Sequence, residues 1–141
     1  MTVVDANVLL NAINSSAPDH LRAKRWLDAA LSGGAPVGFA WVVLLAVVRL
    51  STRPGLFPRP LSVAEATDLV RGWLDAPAAN VLSPGPRHLE LLAGLLGEAG
   101  TAGNLTSDAH LAALALESGA TVTSFDADFA RFPRVRWVRP D

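Results

Sequence analysis

The chain has 141 residues, 50% of them hydrophobic and 18% charged, and its 12 Lys and Arg against 13 Asp and Glu give a formal net charge of −1. A chain of this length buries about two-thirds of the surface its unfolded form exposes, enough for one core without covalent staples. The absence of cysteine excludes a disulfide framework, a thiolate zinc site and a cysteine nucleophile, and the balanced charge argues against a histone-like or membrane-surface polycation.

The N-terminus, Met1 to Asp5, carries neither a basic nor an apolar leader region, and nothing there points to secretion. Val3 and Val4 form a β-branched run that ends in Asp5, and Asn7 to Ile13 reads as a short helix. Pro18 opens a second, amphipathic helix with Leu21, Trp26, Leu27 and Leu31 at core spacing, ended by Gly33 and Gly34. Val37 to Ala40 predicts a strand, and the almost wholly apolar Trp41 to Thr52 a buried helix. The apolar run Gly38 to Val48, closed by Arg49, falls far short of the ~20 residues a membrane span requires, so the expectation is a cytoplasmic protein without a membrane partner.

Pro54, Pro58 and Pro60 enforce a loop. Ser62-Val-Ala-Glu65 is a capping box opening a helix with Val63, Ala66, Leu69, Val70, Trp73 and Leu74 on one face, and Pro77 stops it. Asn80 to Leu82 predicts a strand, Pro86 to Gly97 a helix, and Gly100 and Gly103 a loop. Thr106 or Ser107 is placed to cap a helix running to Gly119 with Leu111, Leu114 and Ala115 inward. Thr121 to Phe125 predicts a strand, Asp126 to Phe132 a turn or short helix, and Val135 to Val138 a last strand. Strands alternating with helices give an α/β fold with a mainly parallel sheet between helical layers, as one domain over residues 1–141.

In such a sheet, ligands bind beyond the carboxyl ends of the strands. Asp5 ends the first strand, Asp126 follows the Thr121 to Phe125 strand with Asp128 two residues on, and Asp108 lies in the first turn of the helix before it. Asp108 also suits a helix N-terminus and Asp126 a turn. Asp5, set among Val3, Val4, Val8, Leu9 and Leu10, makes no sense as packing and needs a partner. Converging carboxylates repel one another, and an all-oxygen donor set selects a hard cation such as Mg²⁺ or Mn²⁺. The chemistry that follows is metal-assisted hydrolysis of a phosphodiester.

Four blocks, Val4-Asp5-Ala6-Asn7-Val8-Leu9, Leu45-Ala46-Val47-Val48-Arg49-Leu50, Asn104-Leu-Thr-Ser-Asp108-Ala-His-Leu-Ala-Ala and Thr123-Ser-Phe-Asp126-Ala-Asp128-Phe, occur in this order along the chain. In these the sequence resembles a PIN domain and, more narrowly, the VapC toxins of bacterial VapBC toxin–antitoxin modules. The resemblance implies a three-layer α/β/α sandwich and a Mg²⁺- or Mn²⁺-dependent endoribonuclease that cuts structured RNA such as tRNA or rRNA. It further implies silencing by a cognate VapB-type antitoxin, a homodimer, and a larger toxin–antitoxin hetero-oligomer. Asp5, Asp108 and Asp126 fall on the family's metal-binding acids, and Asp128 on an auxiliary acidic position. Asn7 falls on a polar position beside the first acid, with Ser107 and Ser124 as hydroxyls able to orient ligands.

One departure matters. The family places a Glu three residues before Arg49, where this chain has Ala46. Loss of that acid weakens metal binding, and it keeps open a catalytically impaired PIN-like protein that only binds RNA or antitoxin. A haloacid-dehalogenase-like phosphohydrolase is a further alternative, although its second Asp is here Asn7 and the only lysine, Lys24, is early in the chain.

Phosphates need cations, and setting the four Asp aside leaves the rest of the chain with more basic than acidic residues. Arg49 is the arginine expected nearest the site; Arg131, Arg134, Arg136 and Arg139 read as a solvated edge. Trp26 and Trp73 sit at core spacing, while Trp41 adjoins a strand end. His20, His88 and His110 are scattered, with no role assigned. The high apolar content calls for a covering partner.

Overall fold

The computed structural model describes residues 1–141. Five short strands, β1 (Thr2–Val4), β2 (Val37–Ala40), β3 (Ala79–Leu82), β4 (Thr121–Thr123) and β5 (Trp137–Val138), form one sheet in the order β3-β2-β1-β4-β5. Every neighbouring pair is parallel. The sheet is therefore parallel throughout, where the sequence promised only a mainly parallel one.

Six helices cover it: α1 (Ala6–Ile13), α2 (His20–Ser32), α3 (Trp41–Thr52), α4 (Val63–Asp75), α5 (His88–Ala99) and α6 (Thr106–Ser118). α1 packs on α2 and α3, α3 on α4, and α5 on α6. The chain moves outward from β1 to β2 and β3, then crosses back to β4 on the other side of β1. Right-handed crossovers in opposite directions put the two helix groups on opposite faces, which makes the three-layer α/β/α sandwich. The reversal between β1 and β4 leaves a crevice beyond their carboxyl ends.

The core is one continuous cluster in which Val3, Val4, Phe39, Leu44, Leu95, Leu111 and Phe129 are almost wholly buried. Trp73 packs in it as expected, its ring stacked on Phe39 with centroids 6.5 Å apart. Gly38 of β2 lies hemmed in by side chains of both flanking strands: a Cβ there would stand 2.7 Å from Leu82 Cδ1 and 3.3 Å from Val3 Cγ2. α6 is inward on more of its circumference than a stripe, with Ala109 and every residue from Leu111 to Ala115 buried, which suits a helix lying directly on β1 and β4.

Several local expectations change. α3 is not a buried helix: Val43, Leu44 and Val47 are inward, but Trp41 is 51% and Leu45 62% exposed. Leu21 and Val63, expected on core stripes, face outward, as does Leu89 of α5. α6 has no Thr106 or Ser107 cap, because a single 3₁₀ turn, Gly103–Leu105, feeds straight into it. α5 starts at His88 rather than Pro86 and continues to Ala99, where Gly100 takes the left-handed conformation at φ 76°. The Ser62–Glu65 capping box is present, with both reciprocal bonds at 3.0 Å.

Candidate metal centre

Asp5 leaves β1 at the crevice and caps α1, its Oδ1 accepting the Ala6 N–H at 2.7 Å. Its Oδ2 accepts the Ser124 hydroxyl at 2.6 Å and the Asn7 side-chain amide at 3.1 Å. Asn7 also donates to Ser124 Oγ at 3.0 Å, and its own carbonyl accepts the Phe125 N–H at 3.0 Å. Ser124 is fully buried and in turn accepts the Asp126 N–H at 2.9 Å. Asp5, Asn7 and Ser124 thus tie the end of β1 to the segment after β4 and fix where Asp126 begins.

Asp126 caps the 3₁₀ turn Ala127–Arg131, its Oδ1 accepting the Asp128 N–H at 2.9 Å. Asp108 enters from the first turn of α6. Asp108, Asp126 and Asp128 offer oxygens that all lie within 4.8 Å of one another. Asp128, read from the sequence as an auxiliary acid, therefore sits inside the trio. Asp5 stands beside it, sharing a cleft of about 310 Å³ with Ser107 and Asp108; Leu45, Ala46 and Arg49 of α3 form the opposite wall.

The electrostatics carry the mark of crowded negative charge. Burial pushes the Asp108 carboxyl up to about 7, and the charges of Asp5, Asp126 and Asp128 push in the same direction. Burial also raises Asp5; the bonds from Ser124 and Ala6 oppose that shift and the charge of Asp126 adds to it. A carboxyl that holds its proton near neutral pH because it is buried and three others face it is relieved by a cation. The donor set is all oxygen, with no imidazole or thiolate, and this fits a hard divalent ion rather than zinc.

Ala46, where the resemblance led to the expectation of a Glu, lines this cleft with Asp5 and Asp108. Arg49 lines the same wall one turn on and takes part in no ion pair. Lys24 is bound to Asp28 on α2 at 2.8 Å. The histidines stay out of the acidic trio. His20 Nδ1 donates to the Asn11 carbonyl at 2.9 Å. His88 joins Glu117 at 2.5 Å and His110 at 2.8 Å in a chain that locks α5 to α6. Burial, and then the adjoining His88, hold His110 below the usual histidine range.

Sequence reasoning undervalued Ser124, whose only signal was a short polar residue beside an acid at a strand end. It also missed an apolar trough of about 480 Å³ between α3 and α4, lined by Trp41, Leu45, Val48, Val70 and Leu74. A hollow of about 440 Å³ around Met1, Thr2 and Trp26 has no charged side chain in its wall.

Comparison with known proteins gives consistent results. The family described as "PIN domain" matches residues 2–135. Ribonuclease VapC37 of Mycobacterium tuberculosis is 54% identical over 140 residues, covering 99% of this chain and 97% of the relative. Ribonuclease VapC33 of the same species is 39% identical over 140 residues, covering 99% and 98%. Among solved structures, VapBC2 of Rickettsia felis bound to a promoter DNA fragment superposes with a TM-score of 0.72 at 14% identity, covering 99% of this chain and 98% of that one. Mycobacterium tuberculosis VapC20, described as a Sarcin-Ricin loop cleaving toxin, superposes at 0.70 with 22% identity, covering 96% and 99%. These structural likenesses concern the fold.

Proposed function

Because the chain belongs to the PIN-domain family and, within it, to the VapC ribonucleases, we propose that it is the toxin of a VapBC-type module and a Mg²⁺- or Mn²⁺-dependent endoribonuclease. Residues 1–141 act in this reading as one PIN domain. The observation that carries it is the meeting of Asp108, Asp126 and Asp128 beside Asp5 at the β1/β4 reversal.

Asp5, Asp108, Asp126 and Asp128 hold the ion. Bound there, a divalent ion supplies a lowered pKa for an attacking water and charge stabilisation for the reacting phosphate. The protein's own part is positioning. Asn7 and Ser124 fix the Asp5 carboxylate in one orientation, so it need not reorganise when the ion enters. Ser107 borders the cleft with a free hydroxyl, and Arg49, unpaired on the facing wall, meets a phosphate oxygen of the RNA. The RNA is a structured one of the tRNA or rRNA kind.

The partners in this reading are a cognate VapB-type antitoxin and a second copy of the chain, assembled into a larger hetero-oligomer in the cytoplasm. The exposed Trp41 and Leu45 and the trough beside them support a covering protein surface. No helix is long and apolar enough to cross a membrane.

Ala46 in the cleft wall favours one alternative, a PIN-like protein that binds RNA or antitoxin without cutting. Cleavage of total bacterial RNA in Mn²⁺, abolished by EDTA and by Asp126→Asn, supports the ribonuclease. RNA binding without turnover at saturating Mn²⁺ overturns it in favour of the alternative.

A further inference from the structure

We infer that Arg139 is a second phosphate contact for the RNA substrate, held on the Phe125 ring at the flank of the acids formed by the end of β5. The inference rests on the ribonuclease reading above and deepens it.

Arg139 follows directly on β5, and the sheet fixes where it emerges. Thr123 pairs with Val138, and the Val138 carbonyl accepts the Ser124 N–H at 3.1 Å. The chain therefore leaves β5 alongside Ser124 and Phe125, immediately before Asp126. Ser124 is the residue whose hydroxyl holds Asp5, and the Phe125 N–H is held by Asn7. The backbone beneath Arg139 is thus the backbone that builds the metal centre.

The side chain is held as well. The Arg139 guanidinium carbon lies 5.7 Å from the centroid of the Phe125 ring. A guanidinium held over a ring keeps the N–H groups turned away from that ring free to donate. No carboxylate takes them up: Arg139 forms no ion pair, although Asp126 lies next to Phe125. The neighbouring Arg134, by contrast, is bound to Glu98 at 3.2 Å, and Arg131 donates to the Ala99 carbonyl.

A phosphodiester strand approaching four carboxylates meets repulsion that one divalent ion offsets only in part. A cation beside the acids removes more of it, and an arginine whose side chain is already ordered loses less conformational entropy on binding. Arg49 supplies such a cation on the α3 wall. Arg139 supplies it from the β5 end, and its planar donor edge suits a phosphate. The four arginines of the last segment therefore do not act alike as a solvated edge: Arg139 is set apart by its brace and its place.

The test uses the full chain as wild type, Arg139→Gln, Arg139→Lys and Arg136→Gln. Binding to labelled total bacterial RNA is measured across a salt series with Ca²⁺ in place of Mg²⁺, and cleavage is measured separately in Mg²⁺. Arg139→Gln is expected to weaken binding about ten-fold at low salt and to reduce the slope of log K against log salt by about 0.7 to 0.9. Its KM rises while kcat stays within about two-fold. Arg139→Lys restores the slope, and Arg136→Gln, exposed on the same segment, matches wild type. Wild-type affinity and slope in Arg139→Gln, or an equal loss in Arg136→Gln, overturns the inference and leaves the ribonuclease reading standing. A wild-type protein that neither binds nor cuts the RNA overturns both.

Discussion

The Ser124 hydroxyl donates to Asp5 Oδ2 at 2.6 Å across 119 positions of sequence, and that bond fastens the end of β1 to the segment that delivers Asp126. Ser124 is fully buried and Asp5 largely so, which sets the bond in a low-dielectric surrounding where a missing donor is costly.

Ser124→Ala leaves one Asp5 oxygen short of its strongest donor and deprives the Asp126 N–H of its acceptor. The expected loss is about 1–3 kcal/mol of stability, read as a lower urea midpoint at pH 7.5. Because the bond holds the Asp5 pKa down against burial, the variant also binds Mn²⁺ more weakly at that pH. An unchanged midpoint would show that the bond contributes nothing.

In the proposed site, proton and metal compete at Asp108. Its pKa in the fold is raised from 3.8 to about 7, so the native state binds more protons than the unfolded chain between those values. Its contribution to stability is full below pH 3.8 and is lost as pH rises to about 7. Mn²⁺ affinity follows the opposite course: it strengthens as pH rises to about 7, and binding at pH 6 releases a proton. Titration calorimetry in two buffers of different ionisation enthalpy measures that proton, and Asp108→Asn removes both effects. Affinity that does not change between pH 6 and pH 8 contradicts this account.

Ala46→Glu restores a carboxylate to the α3 wall of the cleft. The variant should bind Mn²⁺ about ten-fold more tightly, in line with the usual weight of one ligand or its supporting partner. Without metal it should melt at a lower temperature than wild type, since a further carboxylate joins the crowded acids of the cleft. Thermal melts with and without Mn²⁺ read both quantities, and a variant that melts like wild type in both conditions means that position 46 does not reach the ion.

The His88, His110 and Glu117 chain is an internal brace rather than part of the acid cluster. Glu117 accepts from His88 and from the Gly85 N–H, at 2.5 and 2.7 Å. Glu117→Gln is expected to cost about 1–2 kcal/mol in urea denaturation and to leave RNA cleavage within two-fold of wild type. Loss of cleavage with unchanged stability would instead place these groups in the reaction.

The order of helices and strands was legible because it is local: β-branched runs, prolines, glycines and the Ser62–Glu65 box act on their own neighbourhoods. The acids were legible because Asp5 has no reason to sit among valines and leucines unless something holds it. What the sequence could not carry was relative position across the fold. Asp128 and Asp126 point together only once the 3₁₀ turn forms, and α3 is apolar on all sides whether or not both faces are covered. Arg139 looks like Arg136 until the register of β5 sets one of them beside Phe125.

The β1/β4 pairing also has a temporal consequence. Ser124, which orients Asp5, is synthesised 119 residues after it. Throughout that interval the nascent polypeptide carries an Asp5 without that donor. A product terminated before β4 never acquires the Ser124 support of Asp5.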